Sequence, residues 1–299
     1  MKKSVSLLLA ALMLTGALAG CGSSASASGT QAADGADSGV SGAITVISRE
    51  DGSGTRGAFI ELTGVEEKTA DGKKVDNTTA DAEIANKTDV VLTSVAGNEK
   101  AIGYISLGAL NDTVKAVKVD GAEATVDNVK AGAYKLSRPF NIATKGEPTG
   151  LAKDFINFIL SKEGQAVVTD NKYIAVNDAA ESFVSDGSSG QIAVGGSSSV
   201  SPVMEKLIEA YKSVNPNASI DLQTSDSTSG MTGAMDGTFA IGMASRELKD
   251  EEAAQLTDTA IALDGIAVIV NPANTIDELS MDQIKSIYVG DITDWGDLA

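Results

Sequence analysis

Residues 44–59 read ITVISREDGSGTRGAF, an apolar, strand-like run that stops at Arg49 and within four residues reaches Gly52-Ser53-Gly54-Thr55. Small residues leave backbone N–H groups uncovered, and the pattern returns three times. Residues 191–216, QIAVGGSSSVSPVMEKLIEAYKSVNP, open as a short apolar strand and pass through Gly195-Gly196-Ser197-Ser198-Ser199. They then enter a helix with Val203, Leu207, Ala210 and Tyr211 on one face and Pro202 in a position suited to the first turn. Residues 219–235, SIDLQTSDSTSGMTGAM, run from an alternating strand into Ser227-Thr228-Ser229-Gly230. Residues 239–256, FAIGMASRELKDEEAAQL, end a strand at Ser245-Arg246 ahead of an acidic helix.

Where a strand meets a helix, the first-turn N–H groups have no intrahelical partner and the helix dipole is positive, so such ends bind anions. One Ser-rich turn is ordinarily just an N-cap. Four in one chain, two of them with an arginine, Arg49 and Arg246, point to a convergent site. An arginine fork matches a tetrahedral oxyanion, and Ser and Thr hydroxyls with backbone amides fill the remaining oxygen lone pairs. Strands alternating with helical segments give an α/β fold with mostly parallel sheets, whose ligands sit at the carboxyl ends of strands, where all four turns lie. No G-x-x-x-x-G-K-[ST] is present, which argues against a P-loop nucleotide site.

The N-terminus gives an expected address. Lys2 and Lys3 precede the apolar run VSLLLAALMLTGALA, so residues 1–20 read as a signal peptide rather than a membrane span. Leu18-Ala19-Gly20-Cys21 resembles the bacterial lipobox, which makes Cys21 the expected lipidated N-terminus on the extracytoplasmic face of the cell membrane. A lone cysteine otherwise suggests an intermolecular disulfide or a free thiol. Residues 21–42, rich in Gly, Ser, Ala and Asp with no large apolar residue before Val40, read as a flexible tether. The 257 residues from Ala43 onward suffice for two domains, and no later apolar run approaches the roughly 18 residues of a spanning helix.

Formal net charge is −18, and −20 once Lys2 and Lys3 leave with the leader, so neither nucleic acid nor anionic lipid is a partner by bulk charge. With no histidine and one thiol committed to lipid, the usual zinc sites, Cys-His and Ser-His-Asp catalysis are excluded. No Ser stands three residues before a Lys, which excludes Ser-x-x-Lys acyl transfer. The expected protein has no catalytic residues, no metal and no cofactor.

GGSSSVSPVMEKL, STSGMTGAMDGTFAIGMASRELKDEE, DGIAVIVNPAN, QIKSIYVGDITDWGDL, ISREDGSGTRGAF, AIGYISLG and YKLSRPFNIATKG together resemble consecutive blocks of the phosphate-binding lipoproteins of ABC-type phosphate importers. The resemblance implies the type II periplasmic-binding-protein fold, two α/β lobes closing on the ligand about a two-strand hinge. It implies phosphate held by Arg49, Ser53, Gly54, Thr55, Ser198, Ser199, the Val200 amide, Ser227 and Ser245, with Asp51 fixing the Arg49 fork. Thr228 and Ser229 are equally able to cap the helix after Ser227.

Two departures from the family stand out. Where one branch has an aspartate that accepts the phosphate proton, this chain has Arg246, as a Gram-positive branch with the same SRELK does. Arg246 then either adds a cation to the site or pairs with Glu247, Asp250 or another acid on the rim. The blocks also run in circularly permuted order, the second half first. One lobe is expected from residues 43–135 closed by 270–299, the other from 136–269, with NDAAESFVSDGSSG joining the old ends.

The resemblance implies a monomeric receptor that captures inorganic phosphate and delivers it to the permease and ATPase of an importer. The large negative charge does not oppose this, because exposed charges beyond a Debye length of roughly 8–10 Å are screened. The alternatives are a receptor for sulfate or molybdate, a signalling or interaction lipoprotein that kept the fold, and a carboxylate-dependent phosphohydrolase, for which no cluster of acids is visible.

Overall fold

The computed structural model describes residues 40–298; the expected signal peptide, Cys21, most of the tether and Ala299 lie outside them. One nine-stranded sheet organises the chain. Its main strands are numbered here β1 (Thr45–Arg49), β2 (Glu83–Ala85), β3 (Ala101–Ser106), β4 (Ser137–Thr144), β5 (Gly190–Ser197), β6 (Ala218–Ser225), β7 (Ile241–Ala244) and β8 (Thr257–Val270). They lie in the order β6-β5-β7-β4-β8-β3-β1-β2, and residues 115–116 add a short strand beside the end of β8. The helices that matter below are α1 (Gly54–Thr63), α2 (Thr88–Ala96), α3 (Gly150–Leu160), α4 (Lys162–Asp170), α5 (Ser201–Val214), α6 (Ser227–Asp236) and α7 (Met281–Val289).

The expected parallel pairing holds within each half of the sheet. β1 pairs in parallel with β2 and β3, and β5 with β6 and β7. The two strands between these trios, β4 and β8, are antiparallel to each other and to their outer neighbours. Covered on both faces, strands such as β3 (AIGYIS, buried throughout) are continuous apolar runs. The edge strand β6 alternates instead, with Ala218 buried and its neighbours exposed or half-buried.

Two large apolar cores flank the middle of the sheet. The first gathers Phe59, Tyr104, Ile105, Tyr288 and Trp295, and the second Phe140, Phe155, Phe158, Leu207 and Tyr211. Two lobes are thereby defined, and the main chain passes between them near residues 136–137 and 265–266. Leu136 and residues 266–269 pack in the first core, not the second as the expected 135/136 and 269/270 boundaries have it. The reason is that β8 is one uninterrupted strand: its first half pairs with β4 and its second half with β3.

The ends of the described chain meet on the first lobe. Ala43 bridges Asp294, the Ile44 amide donates to the Thr293 carbonyl at 2.8 Å, and the Trp295 amide donates to the Gly42 carbonyl at 3.1 Å. No helix of the described residues is long and apolar enough to cross a membrane.

Candidate anion-binding site

Three of the four small-residue turns lead from a strand directly into a helix: β1 into α1, β5 into α5 and β6 into α6. The fourth differs. After β7, Ser245 and Arg246 lie in a bend, and the acidic helix begins only at Asp250. The β1 turn of the first lobe faces the other three, which belong to the second lobe, across the line between them.

β1 delivers Arg49, only 2% exposed, from the first lobe. Its backbone amide donates to the Tyr104 hydroxyl at 3.1 Å, and that ring stacks on Phe59 at 3.9 Å, so the end of the strand is held by the core beneath it. Nε and Nη2 of Arg49 donate to the two carboxylate oxygens of Glu50, each at 2.8 Å. The fork therefore belongs to Glu50, not to Asp51. The Asp51 side chain is 98% exposed and meets Arg56 at 3.3 Å, because the turn after β1 swings it outward. Arg49 Nη2 also donates across the cleft to Ser198 Oγ at 3.1 Å, and Nη1 approaches Thr88 Oγ1 at 3.5 Å.

A ring of buried hydroxyls lies beside this guanidinium. Thr55 Oγ1 of the first lobe lies 2.8 Å from Ser199 Oγ and 3.3 Å from Ser245 Oγ of the second. Ser197 Oγ donates to Ser245 Oγ at 3.0 Å, and Ser227 Oγ accepts from the Ser245 amide at 3.1 Å. Thr88, at the start of α2, places its hydroxyl 3.4 Å from both Ser198 and Ser199. Ser53 caps α1 by accepting from the Arg56 amide at 3.3 Å. Gly54 brings that helix so close to the second lobe that a Cβ there would collide with the Ser227 and Ser245 hydroxyls.

Several expected contacts fall elsewhere. The Val200 amide is spent on the Ser197 carbonyl at 3.0 Å, closing the turn before α5, and so does not offer the expected donor. Among Ser227, Thr228 and Ser229, only Ser227 is fully buried against the ring; the Thr228 amide donates to the Gly52 carbonyl at 3.1 Å, and α6 is capped by Asp226. Arg246 adds no unmatched cation. Its terminal nitrogens fork onto Glu252 at 2.6 and 2.8 Å and reach the Glu247 carbonyl and Thr228 Oγ1. Burial pushes the Glu252 carboxyl up, but the Arg246 fork and the Lys249 N–H outweigh it and hold the group below its ordinary value.

Sequence reading missed Glu50, Thr88, Glu252 and a third buried arginine, Arg138 on β4. The Arg138 guanidinium bonds the Asp264 carboxylate of β8, donates to the Ser245 carbonyl at 3.2 Å and reaches Thr55 Oγ1 at 3.0 Å. A signal existed: Asp264 is a lone acid inside the apolar run IALDGIAVIV, and a buried charge needs a partner. Each of the three arginines thus carries one carboxylate, and what remains pointing inward is a set of hydrogen-bond donors. Among the described residues no group of three or more Asp, Glu, Cys or His side chains gathers as a metal site would require.

Two α/β lobes, crossed twice by the chain and facing each other with buried donors, define a two-lobed binding protein. A family model described as a PBP superfamily domain matches residues 25–163 and 182–299, and the chain belongs to that family. It is 50% identical over 300 residues to the phosphate-binding protein PstS 2 of Streptococcus agalactiae, covering 99% of this chain and 98% of that one. The crystal structure of a phosphate-binding protein of a phosphate ABC transporter from Streptococcus pneumoniae superposes with a TM-score of 0.69 at 50% identity, covering 86% of this chain and all of that one. The phosphate-binding protein PstS of Bacillus subtilis matches over only 137 residues, 45% of this chain and 42% of its own, at 34% identity.

Proposed function

We propose that this chain is an extracytoplasmic receptor, anchored through lipid on Cys21, that captures inorganic phosphate between its lobes and delivers it to the permease and ATPase of an ABC importer. It performs no chemistry; closure of the lobes around the anion is the whole of its action. The observation that carries this reading is the convergence of Arg49, Thr55 and Thr88 from one lobe on Ser198, Ser199, Ser227 and Ser245 from the other, all buried. Charge-assisted hydrogen bonds at about 1.5–3 kcal/mol each suffice for micromolar or tighter binding after desolvation.

Calorimetry of the mature protein with phosphate, sulfate and molybdate is the test. Phosphate is expected to bind most tightly. Tighter binding of sulfate or molybdate reassigns the ligand, and binding of none favours a signalling lipoprotein that kept the fold.

The chain order is part of the proposal. The end-to-end match to the Streptococcus agalactiae protein fits a shared order in that relative. The half-length match to the Bacillus subtilis protein is what a one-directional alignment keeps when two halves are exchanged. Both support a circular permutation within the family.

A further inference from the structure

β4 and β8 run side by side through the crossing between the lobes, and each brings one charged residue into an apolar stretch. Arg138 and Asp264 are register partners, 3% and 1% exposed. Asp264 is further held by the Gly108 amide at 3.3 Å, and Arg138 also donates to the Gly265 carbonyl at 3.1 Å. From this anchored position Arg138 touches a turn of each lobe: the Thr55 hydroxyl of the first and the Ser245 carbonyl of the second.

The direction of these bonds is fixed by chemistry. A guanidinium has donors only, so Thr55 Oγ1 accepts from Arg138 and its own proton points elsewhere. The neighbours left for that proton are Ser199 Oγ and Ser245 Oγ, on the inner side of the ring. The same logic fixes Ser198, which accepts from Arg49, and Ser227, which accepts from the Ser245 amide. Obligatory donors thus occupy one lone pair of each of these oxygens and leave each O–H to be donated elsewhere.

We propose that Arg138 is a positioning residue of the anion site: held at the hinge by Asp264, it sets Thr55 as an inward donor and ties that setting to the Ser245 turn of the opposite lobe. The proposal rests on the phosphate-receptor reading above. The plainer role, an ion pair that only joins two strands, would affect folding and leave the contribution of Thr55 to binding independent of Arg138.

A double-mutant cycle separates the two. Arg138→Lys keeps a cation for Asp264 but loses the planar fork that reaches Thr55 and Ser245. Thr55→Val removes the hydroxyl and keeps the shape. Phosphate affinity by calorimetry is expected to fall at least about tenfold in each, and by no more than about threefold further when they are combined, since residues acting through one another are not additive. Arg138→Met with Asp264→Asn removes the pair without stranding a buried charge and is expected to behave as Arg138→Lys does. Thermal unfolding without phosphate tracks folding separately. Effects that multiply in the combined variant, or wild-type affinity in Arg138→Lys, overturn the proposal alone. Absence of phosphate binding in the unsubstituted protein overturns the functional reading and this proposal with it.

Discussion

A carboxylate that grips a guanidinium decides which way the rest of its fork points. Glu50 takes Nε and Nη2 of Arg49 in a bidentate pair, and the geometry this imposes leaves Nη2 aimed at Ser198 on the opposite lobe. Asp51, one residue on, stands in solvent against Arg56, whose own Nη1 donates to the Arg49 carbonyl at 2.6 Å. An exposed ion pair of that kind contributes about 0–1 kcal/mol, and it touches no ring hydroxyl. Arg49→Ala is therefore expected to lower phosphate affinity at least about tenfold, because it removes charge-assisted bonds and leaves Glu50 without its cation. Asp51→Asn should change affinity by less than about twofold, within the range of an exposed pair. Calorimetry on both variants decides the point; a large loss in Asp51→Asn would restore Asp51 as the residue that orients the arginine.

At the scale of elements, the site exists because helix N-termini are brought nearly into contact. α1 starts at Gly54, and the absence of a side chain there lets its first turn approach Ser227 at the head of α6 and Ser245 after β7. Gly54 holds an ordinary helical backbone, so alanine fits the helix itself and clashes only with the opposite lobe. Gly54→Ala is expected to leave the unfolding temperature of the phosphate-free protein within a few degrees, as a change of less than about 1 kcal/mol would, while weakening phosphate binding severalfold. Unchanged affinity by calorimetry would show that the lobes need not approach so closely. The four turns were legible in the sequence because a strand running into Gly, Ser and Thr is a local pattern. The groups behind them were not. Arg138 and Asp264 are 126 residues apart; Arg138 is the one charged letter of β4, and Asp264 the one charged letter in the apolar part of β8. Glu252 reads as one acid among several of an acidic helix, and the choice between Glu50 and Asp51 depends on turn dihedrals that composition does not specify. The lobe boundary inside β8 was hidden for a related reason: residues 264–270 are buried without interruption across it.

At the scale of the whole molecule, the order of the halves rests on two joins. The segment 177–190 connects α4 to β5 and lies along the second lobe, with one exposed contact to the first, from Lys130 Nζ to the Asp178 carboxylate at 3.4 Å. Glu163 accepts from the Phe183 amide at 2.7 Å, Asp154 accepts from the Ser185 hydroxyl at 2.7 Å and the Asp186 amide at 3.0 Å, and Phe183 packs on Phe158. Burial pushes the Asp154 carboxyl up, but the Tyr211 hydroxyl and these donors outweigh it and hold it below its ordinary value, ionised near neutrality. Both sides of this join belong to one lobe of one chain, so nothing in it forces exchange of halves between molecules. At the other join the ends already touch, through the Ala43–Asp294 bridge and the bond from Trp295 to Gly42. A break between Gly187 and Ser188 spares every contact just named, and a linker of a few Gly and Ser residues from 298 to 43 spans ends that are neighbours. The body of the protein rebuilt in that order, starting at 188 and ending at 187, is expected to fold as a monomer and bind phosphate within about threefold of the parent, because breaks in exposed segments with few crossing contacts are tolerated. Light scattering and calorimetry check it. An obligate dimer would mean that the halves close only by exchange between chains, and a folded monomer without phosphate affinity would mean that the present order of the halves is itself needed to set the site.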